Sequence, residues 1–231
     1  MVIPASGAIY LSQFNTELGN ATNTAISLGQ ADLRQMLQIP SGAIYMSSGR
    51  GRGVSPSAAA WGAGAFVTFV VPWYNTLYVE VRGAGGGGGQ GAYYETVPVN
   101  PTEANGGATS QQVLRRGATG GAGSASVFYS STALIGYGGG GGQGGFTSAG
   151  ATGAAGTASG GSYNATGGGS GGGGGSGNGG VGGAGGVAAI NFSRVGAGAP
   201  VPYTGITVQV GVGGGSYGSA AGGGYIYVSW S

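Results

Sequence analysis

Leu77, Val79 and Val81 alternate with Tyr78, Glu80 and Arg82, the two-residue period of a half-buried β-strand. The same period links Ile206, Val208, Val210 and Val212 around Thr207 and Gln209, and Ile226, Val228 and Trp230 between Tyr225, Tyr227 and Ser229. Phe66 to Trp73 is a further β-rich run broken by Pro72, and Ala125 to Ser130 is a weaker candidate. Helical spacing is confined to the start of the chain. Ser12 can cap a helix through Leu18, stopped by Gly19. Ser27 and Gln30 read as a capping box for a helix reaching Gln38, which Pro40 ends, with Leu33, Met36 and Leu37 on one face.

Between the strand patterns a third period takes over. From Asn178 to Val187, glycine pairs separate Asn178, Val181, Ala184 and Val187, and Gly150, Gly153 and Gly156 form a second three-residue register. Three residues per turn is neither strand nor α-helix; it matches a left-handed helix of the polyproline-II type. Glycine makes up 61 of the 231 residues, a density that ordinarily signals a flexible linker. A linker has no need of register. Collagen is excluded as well, because it requires strict Gly-X-Y with abundant proline, and the eight prolines avoid these tracts. Ordering a residue's backbone costs roughly 1–2 kcal/mol, and glycine has no side chain to bury in return. An ordered tract must therefore bond nearly every N–H and C=O to neighbouring tracts. The runs at 85–89, 138–142, 167–180, 213–215 and 222–224 supply the neighbours.

Composition narrows the chemistry. Charged residues are 5% of the chain, and there is no lysine, histidine or cysteine. Arg194 is the only charge after Arg116, and the formal net charge of +2 is too small for a nucleic-acid footprint. Disulfides and thiolate metal sites are excluded. Met1 to Pro4 shows no secretory signal, and the uncharged stretch 54–73 is too broken by proline and glycine to read as a membrane span. Gly83-Ala84-Gly85-Gly86-Gly87-Gly88 fits G-x-G-x-x-G, but the adjoining Gly89-Gln90-Gly91-Ala92-Tyr93-Tyr94 cannot open the helix that would hold a pyrophosphate. Without lysine there is no P-loop, and without histidine or cysteine the common bases and nucleophiles are missing. The five acids are too scattered for a paired-carboxylate site. The chain is expected not to be an enzyme and to carry no cofactor or metal.

Side-chain chemistry lies between the glycine tracts. Segments 91–116, 146–166 and 190–204 combine Tyr, Ser, Gly and Asn with occasional Arg, a composition suited to adaptable recognition. Tyr93, Tyr94, Asn105, Arg115, Arg116, Tyr163, Phe192, Arg194 and Tyr203 are the candidate binding residues. Gly179, Gly180, Gly182, Gly183, Gly185 and Gly186 are the candidate scaffold.

The first fifty residues stand apart. Ile3-Pro4-Ala5-Ser6-Gly7-Ala8-Ile9-Tyr10-Leu11-Ser12 recurs as Ile39-Pro40-Ser41-Gly42-Ala43-Ile44-Tyr45-Met46-Ser47, with one residue dropped. So small a module should dock onto something. These repeats, with Phe14 to Gly19 and Ile26-Ser27-Leu28, resemble the opening module of tailed-bacteriophage tail proteins. Phe69 to Pro72, Leu77 to Gly87 and the closing Gly222 to Val228 are similar to the glycine-rich domain of phage tail-tip and fibre proteins, including the adhesins of T-even-like long tail fibres. The resemblance implies stacked polyglycine-II helices with receptor-reading loops between them. It also implies a place in the virion tail, at its distal tip. Unlike those adhesins, this chain carries the opening module.

The sequence thus predicts a mostly β and irregular fold. A small helical N-terminal attachment module (1–53) and a small-residue linker (54–65) precede a glycine-rich domain (66–231) of polyglycine-II helices bracketed by β-strands. Its expected partners are other phage tail or fibre proteins through residues 1–53, and a host outer-membrane protein or surface glycan through the loops. A structural tail-tip, baseplate or decoration role without receptor contact is the alternative. Oligomeric state stays open between monomer and homotrimer.

Overall fold

The computed structural model describes residues 3–53, 57–99, 110–169, 172, 174, 175 and 178–231. The chain is mostly β. Helix α1 (Leu11–Glu17), helix α2 (Ala31–Leu37) and a 3-10 turn (Met46–Gly49) come first. Strands β1 (Ser57–Gly62), β2 (Phe66–Val70), β3 (Thr76–Arg82), β4 (Tyr93–Pro98), β5 (Ser110–Arg115), β6 (Ser126–Phe128) and β7 (Leu134–Gly136) come next. The rest are β8 (Ala158–Ser159), β9 (Tyr163–Thr166), β10 (Gly186–Ser193), β11 (Gly205–Gln209) and β12 (Tyr225–Trp230).

The alternating runs become the strands β3, β11 and β12, as their period predicts. Two antiparallel five-stranded sheets, ordered β1-β12-β3-β10-β9 and β2-β11-β6-β7-β8, face each other. Leu77, Val79, Val81, Ile226, Val228 and Phe192 from the first sheet meet Phe69, Ile206, Val208, Phe128 and Leu134 from the second in one core. Residues 57–62, expected to be linker, are instead the edge strand β1, paired with β12 from Ser57↔Trp230 to Gly62↔Tyr225. An Ala-Ala-Ala-Trp run has no alternation to announce a strand; tertiary pairing imposes it.

The N-terminal module has its own core of Ile3, Phe14, Leu18, Leu33, Met36 and Leu37. Its two sequence repeats are structural repeats. Gly7 and Gly42 share a left-handed φ, +85° and +87°, which an L side chain rarely adopts. Tyr10 and Tyr45 then occupy equivalent extended caps, with their N–H groups held by Gln13 Oε1 and Ser48 Oγ. The expected caps shift slightly. Tyr10, not Ser12, precedes α1, and the Ser27–Gln30 contacts build the turn before α2, whose cap position is Gln30.

The glycine tracts are neither helix nor strand, and their order lies in lateral bonds. The tract 83–90 continues from β3. Gly83, Gly86 and Gly89 donate their N–H groups to the carbonyls of Gly186, Gly183 and Gly180 at 2.8 Å each. Ala84, Gly87 and Gln90 donate to Ser124, Gly121 and Ala118. The carbonyls of Ala84, Gly87 and Gln90 accept from Gly139, Gly142 and Gly145, and those of Gly83, Gly86 and Gly89 from Gly169, Gly172 and Gly175. On the remaining side Gly85 donates to Gly222 and accepts from Gly214, and Tyr217 donates to Gly88. The contacts repeat at three residues, except that Gly88, three on from Gly85, donates to Ser216 Oγ instead of a carbonyl. The two registers visible in the sequence bond to each other: Gly150, Gly153 and Gly156 donate to Asn178, Val181 and Ala184.

Glycine is needed here for room, not for unusual dihedrals. None of Gly83 to Gly89 has a left-handed φ. A Cβ on Gly86 would lie 2.0 Å from the Gly140 carbonyl oxygen, and one on Gly185 would lie 2.2 Å from that of Gly83. All six scaffold candidates share this confinement. Their Cβ positions fall 2.2 Å from Gly89 O for Gly179, 2.2 Å from Ala151 O for Gly180, 1.9 Å from Gly86 O for Gly182, and 1.7 Å from Thr157 O for Gly186. Gly183 stands 1.9 Å from Ala154 O in the same sense, whereas nothing lies within 4 Å of a Cβ on Gly215. Gly183→Ala is therefore expected to destabilise by more than about 4 kcal/mol and prevent folding, while Gly215→Ala stays within about 0.5 kcal/mol. Thermal unfolding of the two variants checks the contrast.

Candidate functional site

The strands all run between two ends of the molecule, and the predicted binding residues divide between them. At one end lie the close of β10, the start of β11 and the segment after β2, where the helical module docks. At the other, the tracts carry the chain away from the sandwich and turn back.

The far end comprises the turns beyond Gln90, Gly145 and Tyr217, brought level with the end of the Gly175 tract by bonds to Gly88, Gly89 and Gln90. Here β4 and β5 form an isolated antiparallel hairpin, from Tyr93↔Arg115 to Pro98↔Ser110. No third strand joins it among the described residues. A lone hairpin is at best marginally stable in water. Its base is held because both strands emerge from bonded tracts. Tyr93 is partly exposed, Tyr94 is 68% exposed, and Arg115 and Arg116 face solvent. Arg115 Nε lies 2.7 Å from Glu95 Oε2, an exposed pair worth little for stability. Tyr217, 53% exposed, and Phe146 stand on neighbouring turns. Tyr217 is a residue the sequence did not single out. Its bond to Gly88 brings it beside a hairpin more than a hundred residues earlier, and no local pattern signals that. Asn105 lies outside the described residues.

Phe192 and Arg194, expected in a recognition loop, serve the interior instead, and Tyr203, 38% exposed, packs against the helical module. Phe192 is buried on β10 within the sandwich core. Arg194 and Trp73 cap the C-terminal end of α1. Arg194 Nη2 donates to the Leu18 carbonyl at 2.6 Å, and Trp73 Nε1 donates to that of Glu17 at 3.2 Å. A cation and two donors at a helix C-terminus satisfy carbonyls the helix leaves unbonded. The guanidinium also lies 4.5 Å over the Trp73 ring, and its Nη1 is 4.0 Å from Asp32 on α2. Burial lowers the pKa of Arg194, an effect Asp32 opposes. Tyr203 stacks on Trp73 and donates to the Met36 carbonyl near the end of α2. Residues 190–204 are thus a socket for the helical module. Tyr163, on the edge strand β9, is exposed but remote from the hairpin.

An open groove of about 570 Å³ runs along this socket, lined by Arg34, Gln35, Gln38, Pro40, Pro202 and Tyr203 among others. Arg34 is committed there to the carbonyls of Gly29, Ile39 and Gly42. Among the described residues no helix is long and apolar enough to cross a membrane. Comparisons with protein-family models, with curated proteins and with solved structures return no match.

Tyr74, next to Trp73, donates to the Pro200 carbonyl at 2.6 Å and so fixes the strand entry that presents Tyr203. Desolvation by burial pushes its phenol from 10.0 up to about 12, against the pull of Arg194. Folding favours the neutral phenol, so its contribution is intact below pH 10 and lost as pH rises towards 12. Stability is expected to hold to about pH 10 and fall above it, and Tyr74→Phe to lessen that fall in pH-dependent denaturant titrations, Tyr78, also raised to about 12, keeping the remainder. Trp73→Ala should cost about 3–5 kcal/mol at the socket. Amide exchange in α1 and α2 is then expected to accelerate by roughly two to four orders of magnitude, with Gly86 and Gly183 still protected.

Proposed function

We propose that this chain is a bacteriophage tail-tip or tail-fibre adhesin, held to the virion through residues 1–53 and reading a host surface receptor with the far-end turns. The observation that carries this reading is the separation of the two ends. The module, with Tyr10 and Tyr45 exposed, sits at one pole, and the aromatic hairpin and turns sit at the other. An adhesin needs that polarity: one end to be held and the opposite end to be presented. The resemblance of the opening repeats and the glycine-rich segments to phage tail proteins supplies the biological setting.

The scaffold supports the same reading. Lateral bonds every third residue are the bonding expected of polyglycine-II helices, each tract meeting neighbours on several sides at once. Such a body holds its tip rigidly without side chains of its own. The turns then carry the recognition chemistry: tyrosine offers broad, stiff contact area at little entropic cost. Exposed Arg116, Tyr94 and Tyr217 suit either a protein loop or a sugar face, and the receptor is accordingly a host outer-membrane protein or surface glycan.

The full-length chain is expected to bind host cells and compete with adsorption of the phage that carries it. Tyr94→Ala and Tyr217→Ala should each weaken competition on the order of 30-fold, as for aromatic interface anchors, without changing the unfolding midpoint. Folded tip variants that compete as well as the parent would defeat the reading. A purely structural tail-tip role instead requires no cell binding at all, together with tails that fail to assemble without the chain.

A further inference from the structure

The two sheets have unlike outer faces. The first carries Tyr78, Glu80, Arg82 and Tyr227, with Tyr78 and Arg82 both bonded to the Glu80 carboxylate. The second is uncharged and presents Phe66, Val70 and Tyr129 to solvent. Its edge is β2, and among the described residues no strand pairs with β2 on the side away from β11. Phe66 to Val70 contains no charge, no proline and no break in register, the devices that ordinarily keep an edge from pairing.

The direction of the free backbone groups is set by the bonds on the other side. Val71 donates to Thr204, Tyr203 donates to Val71, and Val210 donates to Ala65. Odd-numbered residues therefore turn towards β11. Phe66, Thr68 and Val70 turn their N–H and C=O groups outward. These are also the residues whose side chains are exposed, Phe66 at 72% and Val70 at 60%.

The strand Phe66-Val67-Thr68-Phe69-Val70 is close to self-complementary about Thr68. In an antiparallel pair centred there, Thr68 faces Thr68 of a second copy, and each Phe66 faces Val70 of the other. All the facing residues are the ones with outward backbone groups, so the ladder forms with about six hydrogen bonds and none left over. A two-fold axis joins one patch to itself and closes the assembly. We propose that β2 is a homodimer interface, two copies pairing edge to edge through Phe66–Val70 so that their second sheets become one.

The dimer stands apart from the adhesin reading. Antiparallel pairing reverses the second molecule, so each end of the dimer carries one helical module and one hairpin. Two chains held side by side on one tail cannot adopt that arrangement, and the dimer is the form of the free chain.

Light scattering and sedimentation of the full-length protein test it. The parent chain is expected to be a dimer. Thr68→Lys and Thr68→Glu, both at an exposed side chain, should each be folded monomers, because like charges then face each other across the axis. Mixing the two should restore a dimer containing one of each. A parent that is monomeric or trimeric, a lysine variant that stays dimeric, or a charged pair that fails to recombine overturns the proposal.

Discussion

A peptide group buried without a hydrogen bond is costly, and where a chain has no side chains the only abundant partner is another backbone. The rest of this structure depends on that constraint. Gly83 to Gln90 must find donors and acceptors on several sides, so the tracts around it must be present, extended and in step. The absence of Cβ atoms lets them approach closely enough. Ordinary β-structure supplies the alignment. The last paired residues of β3 and β10 are Arg82 and Val187, and the next bond, from Gly83 to Gly186, is the first of the three-residue series. The sheet sets the phase that the glycine tracts keep.

That dependence explains which parts were legible in the sequence. Leu77, Val79 and Val81 announce β3 because one face of the strand meets a conventional core. Leu33, Met36 and Leu37 announce the buried face of α2 for the same reason. The registers at 150–156 and 178–187 are visible because close packing admits only small residues at fixed intervals, and they prove to be bonding partners. β10 was hidden because Gly186 opens it and its apolar residues do not alternate. The pairing of β4 with β5 was hidden because both faces are largely polar and exposed.

At the candidate site, composition misled where position decided. Arg194 and Tyr203 have the residue types of a recognition loop, yet Arg194 reaches a carbonyl 176 residues away in sequence. In a chain with so few cations, an arginine among tyrosines reads as a binding residue unless the helix end it caps is known. Trp73 drew no notice beyond its strand run because its partners come from α1 and from β11's approach. Tyr93, Tyr94, Arg115 and Arg116 are the candidates that gather on one exposed segment, with no second sheet or module for their side chains to meet.

The bonding period also governs how such a chain can change over generations. Inserting or deleting one residue within the tract 83–90 would turn every later N–H towards the wrong neighbour, on all sides together. Only steps of three restore the pattern, and then the surrounding tracts must lengthen in concert. The turns at the far end carry no such arithmetic. Their length and composition can drift freely between fixed tract ends, as antibody loops do on a constant framework. The scaffold can therefore change length only in steps of three, and the turns it carries can change one residue at a time.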